Sequence, residues 1–82
     1  MTLNDLKVAR IDEIRQEARE KTMSQSRRRY SNTYSVFEAQ ATEPEDQLRQ
    51  LQESLRSIPG YVEYFQDPDT DRVFAFARYN TF

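Results

Sequence analysis

Residues 3–23 place apolar side chains at helical spacing. Leu3, Leu6, Ile11, Ile14 and Ala18 fall on one side of a helical wheel, and Lys7 and Arg10 intrude on it. Thr2 and Asp5 stand at the spacing of a capping box, and Glu17 and Lys21 make a favourable i,i+4 pair. The pattern predicts a helix whose apolar stripe is narrow, so it is expected to be peripheral or to dock on another chain. Ser24 to Arg29 read as a polar joint. From Tyr30 to Ala41 the period becomes two, with Tyr30, Tyr34 and Val36 on one side and Phe37, Ala39 and Ala41 on the other, as in a strand.

The second helical segment is bounded on both sides. Thr42-Glu43-Pro44-Glu45 reads as a capping box with Pro in the first turn, and Pro59-Gly60 reads as the stop. Between them Leu48, Leu51, Leu55 and Ile58 form one stripe, whose full burial contributes about 6–12 kcal/mol of transfer free energy. Tyr61 to Gln66 and Arg72 to Tyr79 then read as two strands around the turn formers Asp67-Pro68-Asp69-Thr70-Asp71. The expected architecture is α+β in the order α-β-α-β-β. An antiparallel three-stranded ferredoxin-like sheet packs on one helix, with the N-terminal helix peripheral. Residues 1–26 are expected to form the helix and joint, and residues 27–82 the small α+β domain.

The last two strands are apolar on both faces. Val73, Ala75 and Ala77 alternate with Phe74 and Phe76, and Val62 and Tyr64 alternate with Tyr61 and Phe65. A sheet with one solvated face shows polar residues on that face. One helix covers one face, so the aromatic face is expected to meet the N-terminal helix, a second copy or a partner, and exposed patches of this kind mark interfaces. The expected partner-binding residues are Phe74, Phe76, Tyr64 and Tyr34 as apolar anchors, with Arg27, Arg28 and Arg29 as a charged rim.

Composition narrows the chemistry. The chain has 82 residues, with no His and no Cys, which excludes disulfides, thiolate nucleophiles and the usual general base. No cofactor or metal is expected. Asp67, Asp69 and Asp71 alternate as at the start of a calcium loop, but Arg72 and Arg78 occupy the positions where that loop needs Gly and Glu. Glu38 and Glu63 are the carboxylates within strands, and no nucleophile is placed beside them. Arg27-Arg28-Arg29-Tyr30 offers phosphate contacts and a stacking ring, yet the net charge is −2, away from the basic footprint of nucleic-acid binders. No apolar run is long enough to span a membrane, and the N-terminal residues lack a secretory or lipidation signal, so a cytoplasmic location is expected.

From Tyr34 to Tyr79 the succession of strand, helix, Pro59-Gly60-Tyr61-Val62-Glu63-Tyr64, Asp67-Pro68-Asp69 and Arg72-Val73-Phe74-Ala75-Phe76 resembles part of the ferredoxin-like dimeric α/β-barrel superfamily, in its antibiotic-biosynthesis-monooxygenase-like members. The closing helix, fourth strand and catalytic His or Trp of that family have no counterpart here. The resemblance therefore implies sheet-against-sheet dimerisation without the activity. The Pro44-Glu45-Asp46-Gln47-Leu48 helix running to Gly60 and Val62 is also similar to small phycobilisome linker domains, which implies a scaffold role. Together these features lead to the expectation of a non-enzymatic protein–protein interaction module, an accessory subunit or regulator that binds another protein or itself. The alternative is a nucleic-acid-binding regulator using Arg27–Arg29 and Tyr30.

Overall fold

The structure is a computed structural model that describes residues 1–24 and 32–80. A 3-10 turn at Leu3–Asp5 precedes β1 (Lys7–Val8), α1 (Ile11–Ser24), β2 (Asn32–Glu38), α2 (Pro44–Ser54), β3 (Gly60–Gln66) and β4 (Val73–Asn80). The strands form one mixed sheet in the order β1-β3-β4-β2, with β1 parallel to β3 and the other neighbours antiparallel. The α+β class matches the sequence reading, but the finer architecture is corrected. The sheet has four strands rather than three, and a helix lies on each face, so the N-terminal helix is not peripheral.

The correction begins at the N-terminus. The Thr2–Asp5 capping box is real, with Thr2 N–H donating to Asp5 Oδ2 at 2.9 Å, but the turn ends at Leu6, which is extended with ψ 144°. Lys7 and Val8 then pair with Phe65 and Gln66. The α-helix starts only at Ile11, whose N–H donates to Asp67 Oδ2 at 3.0 Å from across the chain. Lys7 and Arg10, which looked like intrusions on a helical stripe, mark a break instead. Leu3 and Leu6 pack with the α2 layer, while Ile11, Ile14 and Ala18 pack on the other face of the sheet. One continuous helix would have held all five on the same side.

The two crossovers run in opposite directions. The connection β1-α1-β2 carries the chain from one edge of the sheet to the other, and β2-α2-β3 brings it back past β4. Right-handed crossovers that travel in opposite senses place their helices on opposite faces. On one face α2 buries Leu48, Leu51 and Leu55 against Val73 and Ala75, with Phe37, Val62 and Tyr64 alongside. On the other, α1 lays Ala18 and its flanking isoleucines over Phe65, Phe74 and Phe76. The Phe65 and Phe74 rings stack with centroids 5.3 Å apart.

Local chemistry sets the ends of α2. Its N-cap is Glu43 with Pro44 as the first helical residue, and no side-chain bond caps it, so the expected Thr42 box does not form. The helix stops at Ser54, before Pro59-Gly60, and Leu55 N–H closes it on Leu51 O at 2.9 Å. Pro59 disfavours a helical conformation at Ile58, which helps unwind the last expected turn. Gly60 opens β3 where a Cβ would lie 2.0 Å from the Arg78 carbonyl oxygen, so its small size serves a close strand approach. Gln47 is fully buried with every polar atom engaged. Its Oε1 accepts from Val73 N–H at 2.8 Å, and its Nε2 donates to Ala41 O at 2.9 Å and Thr42 O at 3.3 Å. It supplies the hydrogen bond that β4 lacks where β2 has ended.

Candidate functional site

The expected aromatic anchors are divided between the two faces. Phe74 is 0% exposed and Phe76 7% exposed, both beneath α1. Of the three covers expected for the aromatic face, the N-terminal helix is the one found, so Phe74 and Phe76 are core residues and not the exposed anchors expected. The small side chain of Ala18 lets the helix approach closely, and the sheet supplies the bulk that the helix lacks. Tyr34 is half-buried on the same side, its ring 5.7 Å from that of Phe76, with the Lys21 ammonium 5.7 Å and 5.6 Å from the two centroids. Tyr64 lies on the opposite face against the α2 layer, and burial pushes its hydroxyl up in pKa. Arg27, Arg28, Arg29 and Tyr30 lie outside the described residues.

The carboxylates singled out within strands are both paired with cations. Glu38 meets Arg15, and the Nε of Arg72 lies 3.8 Å from it. Glu63 bonds Lys7 across the β1–β3 pair, which holds its carboxyl below the usual range. The Glu63 carboxylate raises Lys7 in turn, and its proximity raises the Tyr61 hydroxyl as well. Asp67, first of the three alternating acids, is a structural cap. Ile11 N–H and Asp69 N–H bond its carboxyl and lower its pKa. Asp71 takes a left-handed conformation at φ 61° within the same turn, which Asp tolerates better than most residues. Among the described residues no group of three or more His, Cys, Asp or Glu could hold a metal ion, and no helix is long and apolar enough to cross a membrane.

The remaining feature is the outer edge of β2. β1 forms one edge of the sheet with only two residues, while β2 forms the other with seven. At Tyr34 the edge is closed by α1. Thr22 Oγ1 accepts from Tyr34 N–H at 3.1 Å, and its hydroxyl faces Tyr34 O at 3.5 Å. Tyr34 therefore turns its main chain away from β4. In an antiparallel pair these groups alternate from one side to the other. Ser35 and Phe37 thus bond toward Ala77 and Ala75, and Val36 and Glu38 turn outward. No side chain among the described residues takes the main-chain groups of Val36. An open groove of about 430 Å³ lies there, between Arg15, Arg19, Thr22 and Met23 of α1 and Tyr34–Val36 of β2. Among the described residues no carboxylate lines it, and Met23 is 71% exposed at its end.

Of these groove residues the sequence reading assigned Tyr34 alone to a site, as an apolar anchor. Arg15 and Arg19 were given no site role there, and that β2 is an edge follows only from strand order. No family model, curated protein or solved structure matches the chain. The resemblance to the dimeric α/β-barrel superfamily therefore contributes nothing to assigning the site.

Proposed function

We propose that the chain is a non-enzymatic protein-interaction module, an accessory subunit or regulator, that engages another protein through the outer edge of β2 rather than through its aromatic face. The observation that carries this reading is the outward amide and carbonyl of Val36, set in a groove beside α1. Exposed edges template strand addition, and proteins normally guard them with Pro, bulges, charges or a covering helix. Here Thr22 closes one rung and leaves the next open. Ion pairing of Glu38 and Glu63 supports a non-catalytic role for the two strand carboxylates. The nucleic-acid alternative rests on Arg27–Arg29 and Tyr30, outside the described residues, and no observation favours it. A cytoplasmic location is proposed on the sequence reading alone.

The test is a comparison of proteins retained by the wild-type chain and by Val36→Pro. Proline at an outward-facing edge position removes a free N–H and spares the β2–β4 ladder. Partners held by the wild type and lost by the variant, with an unchanged circular dichroism spectrum, support the reading. An identical retained set overturns it.

A further inference from the structure

We infer that the occupant of the β2 groove is an extended segment of a partner protein carrying carboxylates at alternate positions. The inference rests on the edge-docking reading and adds the chemistry of what docks. Two features of the groove point the same way. The first is the main-chain pair of Val36, which continues outward at Glu38 and matches the donor and acceptor spacing of an added strand. The second is charge. Arg15 and Arg19 project from α1 into the groove, and among the described residues no acidic side chain lines it. Arg15 divides its guanidinium between Glu38 and Asp12, the latter at 4.0 Å, whereas Arg19 makes no ion pair among the described residues.

Geometry makes the alternation specific. Successive side chains of an added strand point to opposite sheet faces. Those directed to the α1 side meet the two arginines, and those directed to the other side continue the surface of Ser35 and Phe37. A segment with Glu or Asp at every second position therefore presents all its carboxylates to the guanidinium groups. Its intervening β-branched residues carry the strand propensity. Pairing starts at Val36 and extends toward Glu38, because Thr22 already occupies the Tyr34 rung.

The experiment titrates isotope-labelled full chain with two short, terminally blocked peptides, one alternating Val with Glu and one alternating Val with Lys. Amide shifts are followed at Val36 and Glu38, and affinity is read by fluorescence anisotropy of the labelled peptides at two salt concentrations. The expected result is binding of the Glu peptide, with shifts centred on Val36, weakening at higher salt, and no measurable binding of the Lys peptide. Arg19→Glu, an exposed substitution that leaves the core untouched, is expected to weaken the Glu peptide by about tenfold or more, the scale of one lost charged contact. Equal binding of both peptides overturns the acidic assignment and leaves edge docking intact. If neither peptide moves Val36, the inference fails, and the edge reading is judged separately by the retention of partners on Val36→Pro. Self-association of the wild-type chain that Val36→Pro abolishes makes the occupant a second copy and also overturns the inference.

Discussion

The two faces of the sheet solve the same packing problem in opposite ways. On the α2 face the helix brings the bulk, with Leu48, Leu51 and Leu55 over Val73 and Ala75. On the α1 face the strands bring it, with Phe65, Phe74 and Phe76 beneath Ala18. A helix with a poor apolar stripe looks like a poor lid only if the helix is expected to supply the volume. What a close-packed interior requires is that large meets small across the interface, and either layer can provide the large side chains. The weakly amphipathic α1 is therefore as much a part of the core as α2.

The strongest way to break this comparison is to remove the bulk from the α1 side. Phe74→Ala is expected to cost about 3–5 kcal/mol in guanidinium unfolding, because the side chain is wholly enclosed. If α1 were a loosely laid flap the cavity would collapse and the cost would be far smaller. Adding bulk to the helix tests the same point from above. Ala18→Leu would lengthen a stripe that looks too short, yet it is expected to destabilise by about 1–3 kcal/mol, since Ala18 is 5% exposed and packs against the Phe65, Phe74 and Phe76 cluster. A gain in stability would show that the aromatic layer is underfilled.

The third and smallest effect sharpens how α1 is tied down. The Asp67 carboxyl is held below its ordinary pKa by the N–H groups of Ile11 and Asp69, so the unfolded chain binds the proton more tightly than the folded one. Its contribution is complete above the unfolded-state pKa of about 4 and is lost as pH falls through the lower folded value. Asp67→Asn is expected to lower the unfolding midpoint at pH 7 and to flatten the loss of stability in acid. Midpoints measured at neutral and acidic pH for both proteins decide it. Parallel curves would mean that the carboxylate charge contributes nothing to capping α1.

The sequence made some elements legible and hid others for definite reasons. Leu48, Leu51 and Leu55 announced α2 because one stripe carries the whole face, and the alternation of Val73 to Ala77 announced β4 with both its faces. The aromatic layer was read correctly as needing a cover, but β1 was invisible. Two residues give no period, and Lys7-Val8 becomes a strand only because Phe65 and Gln66 offer an edge. That short strand decides the direction of the first crossover, and with it the face on which α1 lands. Missing it turned a sealed core into an apparent docking surface. The groove beside β2 was hidden for the same reason, because which strand is an edge is a property of strand order and not of side-chain pattern.

The bond from Ile11 N–H to Asp67 has a consequence for the order in which the chain matures. A 14-residue helix is marginal alone in water, and this one draws its cap from Asp67, 56 residues after Ile11, and its aromatic bed from the strands on either side of that turn. Because α1 precedes β3 and β4 in the chain, it is made before the hairpin that completes it and stays idle until that hairpin arrives to anchor it.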